Sequence, residues 1–151
     1  MRKALKIVHV DDNKFALNEM QKDISQIVPE AELHSFQAPK PALAFAEAQG
    51  CDVLMTELEL WTEKHGGIRL AKAIQEINPQ VKIIFVTVCN ECEVSRELSE
   101  LCVSGLLPKP WEPEKLAAVF RNLLYPVKSR TYTYTLRSGT AHNPVSFWEI
   151  R

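Results

Sequence analysis

Asp52-Val53-Leu54-Met55-Thr56-Glu57-Leu58-Glu59-Leu60 is the stretch on which the reading of this chain turns. It opens as a short apolar run, the kind a strand buried on both faces requires, and breaks into carboxylates at its far end. Four other short runs resemble it. Residues 5–10 lead into Asp11-Asp12-Asn13, residues 31–36 alternate weakly, residues 81–88 contain Thr87, and residues 105–107 stop at Pro108-Lys109-Pro110. If all five are strands of one parallel sheet, their carboxyl ends share the rim where open α/β sheets bind ligands.

The segments between these runs read as helices. Residues 14–28 place Phe15, Leu17, Met20, Ile24, Ile27 and Val28 at helical spacing, with Asp12 or Asn13 as the cap and Pro29 beyond the end. Pro39 and Pro41 open an Ala-rich helix through Ala48 that Gly50 stops. Gly66-Gly67 leads into a helix over residues 68–77 with Ile68, Leu70, Ala71, Ile74 and Ile77 on one stripe, ended by Asn78-Pro79. Residues 91–101 carry Val94, Leu98 and Leu101 on one face, and residues 113–124 carry Leu116, Val119, Phe120, Leu123 and Leu124. Strand and helix thus alternate five times with short connections, which predicts a doubly wound α/β fold: a five-stranded parallel sheet with right-handed crossovers.

The division expected is one domain over residues 1–125 and a short tail over residues 126–151. In the tail, Thr131-Tyr132-Thr133-Tyr134-Thr135-Leu136 alternates with period two, Ser138-Gly139 supplies a turn, and residues 144–150 offer a second weak strand. Two such strands make no core of their own, so this β-like tail packs on the domain, pairs with another chain or stays mobile.

Bulk properties exclude several classes. A chain of 151 residues with 46% hydrophobic and 25% charged residues is of ordinary globular composition. A net charge of -1 gives no electrostatic case for binding nucleic acid or an acidic membrane. The basic start, Met1 to Lys6, is followed only by Ile7 to Val10 before two Asp, far short of a secretory segment. Nor does any run reach the roughly 20 apolar residues of a membrane span. Cys51, Cys89, Cys92 and Cys102 are too few for a disulfide scaffold, so a cytoplasmic protein with reduced thiols is expected. Cys89 and Cys92 have the CxxC spacing, but no second pair accompanies them; Cys51 and Cys102 read as packing residues, and His9 as a core histidine.

At the rim, Asp11, Asp12, Glu57, Thr87 and Lys109 would converge. Clustered carboxylates repel unless a cation neutralises them, and Mg²⁺ takes such hard oxygen donors. Together with an ammonium and a hydroxyl, a metal of that kind suits a phosphoryl group.

The chain from Leu5 to Leu124 resembles the receiver domain of bacterial two-component response regulators. The likeness runs through Val10-Asp11-Asp12, Asp52-Val53-Leu54-Met55, Phe85-Val86-Thr87, Leu107-Pro108-Lys109-Pro110 and Pro113-Glu114-Lys115-Leu116. It implies a flavodoxin-like sheet of strand order 2-1-3-4-5. It further implies an acceptor position at Glu57 and a metal pair of Asp11 and Asp12 completed by the backbone carbonyl of Glu59. Thr87 and Lys109 would bind the phosphoryl group, and the Lys109-Pro110 bond would be cis. A histidine kinase is the implied partner, with signalling or homodimerisation through the face built from residues 91–101, 105–107 and 113–124.

Three departures accompany the likeness. Glu57 stands where the family has Asp, Leu106 stands where it commonly has an aromatic, and the loop beginning at Trp61 lacks the usual Pro and is about two residues longer. The expectation is therefore an atypical receiver, not an enzyme and not phosphorylated on Asp. Its tail faintly resembles the hairpin that opens the output domain of transcription-regulating relatives, and direct DNA reading by these 151 residues is not expected. A metal-dependent phosphohydrolase on a similar sheet is the alternative. It needs a second Asp two residues after the first, where this chain has Asn13.

Overall fold

The structure is a computed structural model that describes residues 4–60, 65–88 and 101–125. Runs rich in Val, Ile and Leu, too short for helices, become strands: β1 Lys6–Val10, β2 Glu32–Phe36, β3 Val53–Thr56, β4 Lys82–Thr87 and β5 Val103–Pro108. All pair in parallel, in the order β2-β1-β3-β4-β5, the arrangement expected from the resemblance. Between them lie α1 Lys14–Ile27, α2 Pro39–Gln49, α3 Gly66–Ile77 and, after β5, α4 Pro113–Leu124. The helix expected at residues 91–101, except for its last residue Leu101, which lies buried in a bend, and the β-like tail at 126–151 lie outside the described residues, as do Trp61, Cys89 and Cys92.

Because alternate strand residues face opposite sides, each strand feeds two cores. Val8, Val10, Leu54, Ile83 and Phe85 pack with Ala42, Ala46, Leu70, Ala71 and Ile74 of α2 and α3. Ile7, Val53, Met55, Ile84, Val86 and Leu107 pack with Met20, Ile24, Leu116 and Phe120 of α1 and α4.

Local chemistry sets the element ends. Asn13, not Asp12, caps α1: its Oδ1 accepts the backbone N–H of Phe15 at 2.8 Å and of Ala16 at 3.2 Å. Gly50 closes α2 at φ 93°, a conformation a side chain would resist. Asn78 ends α3 and ties it down, donating from Nδ2 to the Cys51 carbonyl at 3.0 Å.

Some expectations need correction. Strand β5 begins two residues before Gly105, because β4 supplies backbone partners whatever the side chains are. Its register slips between Ile83 and Ile84, so Ser104 is the extra residue, and its hydroxyl accepts the Ile83 N–H at 3.3 Å. Phe15, placed on the apolar stripe of α1, is 70% exposed because the first turn rises above the strand ends. Ile77, in the last turn of α3, is likewise exposed, and Cys102 is exposed where packing was expected. Cys51 does pack in the core, where burial pushes its thiol up to about 12, aided by the Asp52 charge.

His9 is a core histidine, fully buried on β1, and neither ring nitrogen has a partner among the described residues. Burial first, and the Lys109 charge second, push its pKa down to about 3. An unfolded chain would bind a proton here below pH of about 6.5, which the folded chain refuses until about 3. Stability therefore falls as pH drops through that window. Replacing His9 by Leu should raise stability by about 1–3 kcal/mol at pH 7 by removing unpaired polar atoms. It should also flatten the acid limb by up to about 1.4 kcal/mol per pH unit, both read by urea unfolding between those pH values.

Candidate functional site

The carboxyl ends of β1, β3 and β5 bring Asp11, Glu57 and Lys109 together. Asp11 follows Val10 directly and is 1% exposed, its backbone N–H held by the Phe36 carbonyl at 3.1 Å. Glu57 follows Thr56, and its N–H reaches back to the Val10 carbonyl at 3.3 Å, so the two acids sit on neighbouring strands. Lys109 leaves β5 and donates its own N–H to the Thr87 carbonyl at 3.0 Å. From there its side chain crosses over β4 to the acids.

The ammonium bridges both. Lys109 Nζ lies 2.5 Å from Asp11 Oδ2 and 2.8 Å from Glu57 Oε1. The remaining carboxylate oxygens take backbone donors: Asp11 Oδ1 accepts Asn13 N–H at 2.9 Å, and Glu57 Oε2 accepts Leu58 N–H at 3.2 Å. For Lys109, burial favours the neutral amine, yet the hydrogen bonds and charges of Asp11 and Glu57 outweigh it and raise the pKa above its ordinary value. The lysine thus remains charged through the neutral range.

Other predicted residues stand nearby in different roles. Thr87 is buried at the end of β4, beside Pro108 in the register. Asp12 is half-buried, and its backbone carbonyl accepts Gln37 Nε2 at 3.4 Å. Glu59 points its side chain toward solvent, 3.7 Å from His65 Nε2. The Lys109-Pro110 bond is cis. Leu106 is exposed. Among the described residues no three His, Cys, Asp or Glu side chains form a metal cluster. The donor set of Asp11, Asp12 and the Glu59 carbonyl is nevertheless of the hard-oxygen kind that Mg²⁺ takes. Each carboxylate oxygen of Asp11 also keeps acceptor capacity beyond its one bond.

Sequence reasoning missed three supports. His65 holds a left-handed backbone at φ 61° just before α3, unusual for a residue with a side chain. Trp111, half-buried, packs against the α1–α4 core and donates from Nε1 to Asp23 Oδ2 at 2.9 Å, a bond that ties α4 to α1. Gly67 lets α3 approach the acid: a Cβ there would lie 1.7 Å from the Glu57 carbonyl oxygen. The Gly66-Gly67 pair was the available signal for that last contact.

The model of the response regulator receiver domain matches residues 7–121. This chain belongs to the response regulator receiver family. It is 29% identical over 122 residues to the cyclic di-GMP phosphodiesterase response regulator RpfG of Xanthomonas campestris, covering 80% of this chain and 32% of that protein. The chain thus spans about a third of the length of this curated relative. Solved structures with the same fold include the signal receiver domain of an HD domain-containing protein from Pseudomonas fluorescens Pf-5. There the TM-score is 0.72 and the identity 21%, over 81% of this chain and 95% of that one. Another is the chemotaxis response regulator CheY4 of Vibrio cholerae, with a TM-score of 0.68 and 21% identity over 80% of this chain and 99% of that one.

Three outcomes test the site's physics. Lys109→Met removes the ammonium that both acids contact and should destabilise by about 3 kcal/mol at pH 7, read by urea unfolding. In the unsubstituted protein the lysine's raised pKa places its contribution fully below pH of about 10.5, to be lost only above it, as urea unfolding at alkaline pH would show. Gly67→Ala should cost about 3 kcal/mol, the upper end for overpacking, because the obstacle is backbone.

Proposed function

We propose that this receiver transmits a signal without phosphorylation at position 57, as a response regulator of a phosphorelay system whose acceptor is Glu. The observation that carries this reading is the 2.8 Å contact between Glu57 Oε1 and Lys109 Nζ, with Asp11 on the same ammonium. In the family the lysine engages the phosphoryl oxygens; here the longer carboxylate already reaches it. Phosphoryl transfer depends on in-line placement of the nucleophile, and a carboxylate committed to Lys109 is poorly placed for it. A single carboxylate also carries less than the charge of about -1.5 to -2 that a phosphoryl group adds. The substitution therefore imitates phosphorylation only in part.

In this reading Glu57 occupies the acceptor position, and Thr87 and Lys109 the switch and phosphoryl-binding positions. Asp11, Asp12 and the Glu59 carbonyl would hold Mg²⁺, which when bound neutralises clustered negative charge. Exposed Leu106 in place of an aromatic favours one fixed conformation over switching. Output would run through protein–protein contact with a kinase or another signalling protein, or through dimerisation, in a cytoplasmic setting and with transcription regulation as one outlet. Among the described residues no helix is long and apolar enough to cross a membrane. The domain boundary proposed is residue 125, with 126–151 a tail or the remnant of an output element. A phosphohydrolase gains no support, since Asn13, where a second Asp is needed, spends its side chain capping α1.

Incubation with acetyl phosphate and Mg²⁺, followed by intact mass measurement, decides the matter. The unsubstituted protein should show no adduct, while Glu57→Asp should acquire one phosphoryl group per chain. A stoichiometric adduct mapped to Glu57 would overturn the proposal.

A further inference from the structure

At the edge of the sheet opposite Glu57, a groove of about 880 Å³ opens where β1, β2 and β3 begin and α4 ends. Leu5, Val28, Leu124 and Tyr125 give it an apolar lining, and Glu30 and Asp52 give it carboxylates. Tyr125, 72% exposed, is both a wall of this groove and the residue from which the tail departs. Lys6, the cation in the lining, lies 3.9 Å from Glu32 outside it, and Asp52 Oδ2 accepts the Lys6 backbone N–H at 2.9 Å.

We propose that this groove is the seat of the chain's own residues 127–134, Val127-Lys128-Ser129-Arg130-Thr131-Tyr132-Thr133-Tyr134. The first argument is where the tail starts. Val127 to Arg130 span at most about 14 Å when extended, so Lys128 and Arg130 stay within reach of the groove wall. The second is charge. The tail carries Lys128, Arg130, Arg137 and Arg151 against Glu149 alone, and the groove offers Glu30 and Asp52 against Lys6. The third is pattern: with period two, Tyr132 and Tyr134 fall on one side of an extended segment, matching the apolar patch of Leu5, Val28 and Leu124. Tethering makes weak contacts sufficient, since a short linker holds the segment at an effective concentration of about millimolar. Docking there would fix the direction in which the chain leaves the receiver, and it would do so at the starts of the same strands whose far ends carry Asp11 and Glu57.

The test is limited trypsin digestion of the full 151-residue chain beside a synthetic peptide of residues 126–151. Cleavage after Lys128 and Arg130 should be at least about tenfold slower in the protein than in the peptide, because proteolysis tracks the undocked population. Glu30→Arg, an exposed charge reversal, should bring the rate to that of the peptide while thermal melting shows the domain intact. Should that variant not fold, added salt supplies the second measurement: about 0.5 M NaCl should remove the protection in the unsubstituted protein by screening the pairs. Cleavage at the peptide's rate in the unsubstituted protein overturns the proposal, as does protection that survives both charge reversal and salt. Protection that vanishes on dilution also overturns it, because the occupant would then be a second copy.

Discussion

Two carboxylates on adjacent strands, one of them almost sealed from water, can coexist at neutral pH only with a cation between them. Lys109 is that cation, and the order of the sheet places it where it can reach both acids. Asp11 and Glu57 end β1 and β3, which are hydrogen-bonded neighbours. Lys109 comes from the far edge, after β5, and spans the end of β4 to reach them. The Thr87 carbonyl holds its backbone, so the same strand that Lys109 crosses also aims it. Partial burial raises the stakes of the pairing, because an uncompensated charge in this setting costs far more than a surface ion pair yields.

Much of the fold was legible because strands buried on both faces leave little room for ambiguity. Residues 53–56 and 82–87 read as apolar runs too short for helices, and the polar groups directly after the runs marked the rim. The helix ends were legible for a similar reason: Gly50 and Asn78 each supply a local geometry that few residues supply, while the cap of α1 was narrowed only to Asp12 or Asn13. What escaped was governed by partners distant in sequence. The bulge at Ser104 depends on the register with Ile83, the solvent on Phe15 depends on how high α1 rises above the sheet, and the Trp111–Asp23 bond joins residues whose proximity only the tertiary fold creates. In the site, the identities of Asp11, Glu57 and Lys109 were readable. That one ammonium serves both acids was not, since it turns on side-chain reach.

His9 shows the tension between core and site. It lies two residues before Asp11 on β1, so by strand alternation both occupy the side of the sheet covered by α1 and α4. One is buried with no partner among the described residues, the other is buried with partners on both oxygens. The site thus does not sit on a dry platform. Polar atoms continue one layer down, and the stability of the domain carries that burden beneath its own functional rim.

Gly67 has a consequence for the history of such a site. Its missing side chain seats the Glu57 backbone against α3, and that seating involves the main-chain carbonyl, not the carboxylate. Whichever acid stands at position 57, the strand end is anchored by the same contact. Aspartate and glutamate codons differ only in their third base, so one nucleotide change exchanges the two acids at this position. The packing that seats position 57 against α3 is thus independent of which acid stands there.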